Sequence, residues 1–155
     1  MQVFLPLPSI YNSVKCLDNK RLQNQRKECR QILDALRWGE SSWKNHPAVK
    51  MYKGYEDFLE KYLRHCILEF IRRGGNNNMI IPVASMFPMK PEWFGDPRLH
   101  ASHRANLLRK NPKWYGQFNW SEEPFEGYWW PVPVVCKKTK EAVAHWNKLY
   151  AKRRT

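Results

Sequence analysis

From Val49 to Ile71 apolar side chains return every three or four residues, among them Met51, Phe58, Leu59, Tyr62, Leu63, Cys66, Ile67 and Phe70. That period belongs to a helix, and an apolar face this wide needs cover on several sides. The helix should begin near Pro47 and stop by Arg73, where Gly74 and Gly75 follow; Gly54 can divide it in two. A helix of this kind becomes the central member of a helical core. The expected fold is therefore mainly α: a single compact domain of about three to four helices, with long irregular loops and a basic C-terminal helix.

A second periodic stretch lies before it. Asp18 or Asn19 can cap a helix that runs to Trp38 and stops at Gly39, with Leu22, Cys29, Ile32, Leu33 and Leu36 as its apolar stripe. Gln25 and Arg26 fall where that stripe should be apolar. Burying them is costly unless something in the fold uses them. Residues 1–15 carry Pro6 and Pro8 and read as an extended arm. Residues 74–95, with Gly, Asn and Pro, read as an irregular loop. Asp96-Pro97 opens a third helix that ends near Lys110. Residues 111–136 are rich in Pro and Trp and show little periodicity, and a basic helix from about Thr139 to Lys152 closes the chain. The expected division is a domain over residues 1–136 and a basic helical extension over 137–155. Within the extension, Lys137, Lys138, Lys140, Lys148, Lys152, Arg153 and Arg154 should add DNA affinity without specificity, and its removal should leave the fold intact.

Charge points to the partner. Lys and Arg number 27 against 14 acidic residues, a net charge of +13, and such an excess favours polyanions. Double-stranded DNA, bound with a steep salt dependence, is the leading candidate. No leader and no apolar run long enough to cross a bilayer is expected, so the reading is a monomeric cytoplasmic protein. Cys16, Cys29, Cys66 and Cys136 form no CxxC pair, so neither a zinc ribbon nor a disulfide framework is expected. His100 and His103 lack an acidic or cysteine partner at ligand spacing, so neither metal nor cofactor is expected. Aromatic residues make up 14% of the chain, with eight Trp. Most should be core, yet aromatics interleaved with cations also suit the stacking of bases.

Four clusters could carry chemistry. Arg21, Gln25, Glu28 and Ile32 share one helix face, so Glu28 is a lone carboxylate among Lys20, Arg21, Arg26, Lys27 and Arg30. It reads either as an ion-paired solvated residue or as a general acid/base held among phosphate-binding cations. In the third helix His103, Asn106 and Lys110 share a face, with His100 and Arg104 beside them. That face is either solvated and cationic or a phosphate contact. His46, extended before Pro47, stands at the entrance of the long helix, where Asn45 can serve a turn. Trp114 and Tyr115 follow the cationic helix and are either core or DNA contacts.

These segments, in this order, resemble the pyrimidine-dimer DNA glycosylase family typified by the phage endonuclease V. The resemblance rests on the helix carrying Glu28, the long helix ending Phe70-Ile71-Arg72-Arg73-Gly74, the helix after Asp96, and Pro112-Lys113-Trp114-Tyr115. A bacterial branch of the family is more similar, at Leu17-Asp18-Asn19-Lys20-Arg21-Leu22, Asn45-His46-Pro47-Ala48-Val49 and Ser102-His103-Arg104-Ala105-Asn106-Leu107-Leu108-Arg109-Lys110. The resemblance covers residues 1–132 and implies a cofactor-independent glycosylase with AP-lyase activity. In that mechanism the chain's α-amine attacks C1′ of a damaged nucleotide, a Schiff base forms, and β-elimination cuts the strand. It implies Met1 as the source of the amine, Glu28 as the assisting carboxylate, and Arg21, Lys27 and Gln31 at the family's cationic positions. Gln31 stands where an arginine is usual. Gln2 should keep Met1 in place, and the arm before Leu17 is longer than the family's. An α-amine suits the task, because an ordinary pKa near 8 leaves on the order of 10% neutral at pH 7, against under about 0.1% for a lysine. A non-catalytic DNA-binding module and a different nucleic-acid-processing enzyme on the same fold are the rival readings.

Overall fold

The computed structural model describes residues 1–39 and 41–153; Arg154, counted above with the basic tail, lies outside the described residues. Its centre is α4 (Glu56–Arg72), whose Phe58, Leu59, Tyr62, Leu63, Cys66 and Ile67 are buried. Gly54, at φ +86, turns the chain between α4 and the short α3 (Pro47–Lys50). A side chain at that φ would be strained, so the division expected there has a backbone cause. Helix α2 (Asn19–Trp38) packs along α4 and ends at Gly39 in the left-handed region. Asp18 occupies the N-cap position of α2, but its carboxylate makes no capping bond. It receives the Tyr115 hydroxyl at 2.6 Å and the Arg21 guanidinium at 3.2 Å instead.

Helix α5 (Pro97–Lys110) begins where Asp96-Pro97 placed it, with the Asp96 carboxylate accepting the Arg98 N–H. The short α6 (Pro112–Tyr115) and a 3₁₀ turn over Gly116–Phe118 follow. Helix α7 (Lys137–Arg153) comes last. Among the described residues there is no strand, and no helix is long and apolar enough to cross a membrane.

One expectation needs correction. The arm is not extended to residue 15: Ser9 accepts the Asn12 N–H as an N-cap, and α1 (Ile10–Lys15) buries Ile10 and Val14 against α4. Six residues are too few to display a helical period, and Pro6 and Pro8 both precede the cap. Helix α7 packs on the rest of the chain. Trp146 is 2% exposed within the common core, its indole N–H reaches the Gly127 carbonyl, and Asn147 accepts from both Trp129 and Arg98.

One ion cluster ties the corner between α1 and α2 to the end of α4. Glu69 accepts Arg72 and Arg73, and Arg73 donates onward to the carbonyls of Leu17 and Lys15 and to Asn19 Oδ1. The Arg72 hydrogen bonds, joined by those of Arg73, hold the Glu69 carboxyl at about 2, below its ordinary 4.5. A depressed carboxyl stabilises the fold above its unfolded value and loses that contribution as pH falls through the folded one. Melting temperature should therefore fall between pH 4.5 and 2. Glu69→Gln should cost about 1–3 kcal/mol at pH 7 and flatten that acid limb. A variant whose acid limb matches the wild type would remove Glu69 from this account.

Candidate active site

Residues 2–6 belong to no helix or strand, so their backbone groups need other partners. Side chains from three helices supply them. From α2, Glu28 Oε2 accepts the Gln2 N–H at 3.1 Å, Gln25 Oε1 accepts the Phe4 N–H at 2.9 Å, and Gln25 Nε2 donates to the Gln2 carbonyl at 2.7 Å. From α4, the Tyr62 hydroxyl lies 2.8 Å from the Phe4 carbonyl. From α5, His103 Nδ1 accepts the Leu5 N–H at 2.8 Å, His100 Nδ1 meets the Leu5 carbonyl at 2.6 Å, and Arg104 donates to the Pro6 carbonyl.

The polar break in the α2 stripe is explained by this arrangement: Gln25 is buried because it holds the arm. His100, His103 and Arg104, read from sequence as DNA contacts, face the arm too. Both histidines are buried, and burial, the largest cause in each, lowers them from the ordinary 6.5. His100 Nε2 accepts the Gly95 N–H, so its Nδ1 carries the proton and donates to Leu5. Arg104 is occupied by Glu122 as well as by Pro6.

The arm delivers Met1 to a cavity of about 530 Å³. Lys20, Arg21, Asn24 and Glu28 of α2 form one wall, Arg109 and Lys110 at the end of α5 another, and Phe4, His46, Tyr128 and Trp130 give it aromatic surface. Of the residues singled out in the sequence, Met1, Lys20, Arg21, Gln25, Glu28, His46, Asn106 and Lys110 line this one cavity. His46 caps α3 through Nδ1, which accepts the Ala48 N–H. Burial, then the positive charge of the chain's amino terminus, holds it below 6.5, and Met1 lines the same cavity. Burial, followed by the charges of Arg109 and Arg21, lowers Lys110 from 10.5, with Glu28 opposing them. The Asn106 amide is spent on Ser102 and Gly127 and shapes the wall rather than reading a ligand.

Other expected residues lie elsewhere. Arg26, Lys27 and Gln31 border a second hollow on the opposite flank of α2, where the Arg26 guanidinium stacks 3.7 Å from the Phe70 ring centre. Tyr115 is fully buried against Asp18, and Trp114, partly exposed, donates to the Cys16 carbonyl. Tyr115 thus serves packing, whereas Trp114 is anchored by its indole N–H and keeps 36% of its surface exposed. Sequence reasoning missed Gln2, Phe4, Arg109, Tyr128 and Trp130 as cavity residues. The only signal for the last two was the aromatic run 128–130, within which Trp129 turns into the core under Arg98. Among the described residues no group of three or more His, Cys, Asp or Glu is placed to hold a metal.

A basic helical fold that sets the Glu28 carboxylate against the chain's first peptide, in a cavity rich in cations, has the design of an enzyme acting on nucleic acid. Residues 1–82 match the family model for pyrimidine dimer DNA glycosylase, more than half of the 155 residues, and the chain belongs to that family. Its general activity is therefore that of a DNA glycosylase, a DNA-repair enzyme class with DNA as substrate. No curated protein and no solved structure matches the chain.

Proposed function

We propose that the protein removes a damaged or modified pyrimidine from duplex DNA through the α-amine at Met1 and then, as an AP lyase, cuts the strand. The observation that carries this reading is the 3.1 Å hydrogen bond from the Gln2 N–H to Glu28 Oε2. It fixes the first peptide against the carboxylate, so the longer arm does not separate amine from acid. In the proposed sequence the neutral amine adds to C1′ as the glycosidic bond breaks, and the departing base takes up a proton. Glu28 accepts the proton lost by the amine and passes it to O4′ as the sugar ring opens, giving the imine. Removal of a C2′ proton then expels the 3′ phosphate. Lys20, Arg21, Arg109 and Lys110 rim the cavity and suit the flanking phosphates. No step calls for a metal or cofactor.

The test is reduction with borohydride in the presence of duplex DNA bearing an abasic site, and separately of duplex bearing a pyrimidine dimer. The expected product is one covalent protein–DNA adduct whose peptide map puts the sugar on the Met1 nitrogen. Binding of both duplexes without any adduct would overturn the amine mechanism and leave a DNA-binding protein on the family's frame.

A further inference from the structure

Both backbone polar groups of Leu5 are taken by side chains of α5, its N–H by His103 Nδ1 at 2.8 Å and its carbonyl by His100 Nδ1 at 2.6 Å, just as α2 takes both of Gln2 through Glu28 and Gln25. We infer that His100 and His103 are positioning residues that fix the register of the arm and so set the α-amine against Glu28. The inference rests on the amine reading proposed above, and it assigns the two histidines a role in catalysis without contact to DNA.

Register is the quantity at stake. Gln2, Val3, Phe4 and Leu5 are all buried, so a slip by one residue would press each side chain into the space shaped for its neighbour. In a sheet the neighbouring strand sets register; here the helices must. Gln25 and Tyr62 grip Phe4, and the histidine pair grips Leu5 one residue further from the amine. The grips meet at different points around the arm, from α2, α4 and α5, so it can neither slide nor roll.

The state of His103 supports a specific use for its ring. It is fully buried, and its Nδ1 accepts, so the proton of the neutral ring sits on Nε2. That nitrogen has no hydrogen-bond partner among the described residues, and the ring packs edge to face with both Phe4 and Tyr128. A buried donor without a partner is costly and calls for an explanation. An aliphatic side chain would fill the same space without an orphaned donor. What it would lack is the acceptor for Leu5. Tyr128, in contact with both the His103 and the Phe4 rings, lines the cavity, so His103 also links the arm to the cavity wall.

His103→Leu removes the acceptor and keeps an apolar side chain of similar bulk, while His103→Asn keeps an acceptor near the place of Nδ1. The first readout needs no DNA: acetylation of the α-amine by an N-hydroxysuccinimide ester, relative to the lysines, followed by mass spectrometry. The second is the rate of borohydride trapping on abasic duplex, with duplex affinity measured alongside. For H103L we expect the α-amine to acetylate at least about 3-fold faster, and trapping to slow at least about 10-fold with affinity within about 2-fold of wild type. H103N should recover most of both. Should H103L fail to fold, His100→Leu, which frees the Leu5 carbonyl instead, carries the same readouts. A folded variant with wild-type acetylation and trapping would overturn the inference, as would an H103N no better than H103L. Altered acetylation in a protein that never traps DNA would uphold the positioning of the arm and sink the glycosylase mechanism alone.

Discussion

Glu28→Gln should bind duplex DNA as well as the wild type or better, and lose about 10²- to 10⁴-fold in trapping and strand cleavage. The amide is the informative replacement because of what Glu28 holds. Its Oε2 accepts the Gln2 N–H at 3.1 Å and the Gln25 Nε2–H at 3.3 Å. Glutamine keeps an oxygen for these donors, so the arm should stay seated; what disappears is the group that takes a proton from the amine. A truncation to alanine would confound the two losses. The ordinary alternative for a helix glutamate is an ion pair on a solvated face. Among the described residues Glu28 has no ion-pair partner within 4.0 Å, while the neighbouring Arg21 pairs with Asp18. Removing one negative charge from a cationic cavity should, if anything, favour a polyanion. Unchanged cleavage by the variant, on a duplex that the wild type cuts, would place the chemistry elsewhere.

The contrast between Gln25 and Glu28 shows what the sequence could disclose. Both sit on one face of α2, and both were legible as polar residues that a simple amphipathic helix does not require. Helical period also located α2 and α4, because each repeats its apolar residues over several turns, while Asp96-Pro97 placed the start of α5 and Gly39 the end of α2 by local chemistry alone. What a buried polar residue satisfies is different information. The partner of His103 is the backbone of Leu5, 98 positions away, and a backbone group carries no residue identity to search for. His100, His103 and Arg104 thus looked like a surface for phosphates, when they are the inner lining of the arm. Tyr128 and Trp130 were hidden for the opposite reason. Their segment has no period, and only the packing of Trp129 inward and its neighbours toward the cavity sorts them.

Trp146→Ala should destabilise the protein by about 3–5 kcal/mol, the usual cost of deleting a buried Trp side chain. For a chain of this size that corresponds to a fall in melting temperature of roughly 6–20 °C. The indole is 2% exposed, its edge meets the Phe125 ring, and its N–H reaches the Gly127 carbonyl at 3.1 Å. The same carbonyl receives Asn106 Nδ2 at 2.7 Å, so one peptide joins α5, residues 125–130 and α7. The approach is close enough that a Cβ on Gly127 would lie 2.6 Å from that of Ala142. Gly127 and Tyr128 are cavity wall. Losing Trp146 therefore loosens the site along with the core, and deleting residues 137–155 should unfold the protein rather than merely weaken DNA binding. Lys148→Ala is the control. It removes a charge from an exposed position of the same helix, so it should lower duplex affinity slightly and leave the melting temperature within about 1–2 °C, consistent with the small effect of most surface substitutions. Thermal melts of the two point variants and the truncation decide the matter. A truncated chain that melts at the wild-type temperature would mean that α7 is bound to the body but not required by it.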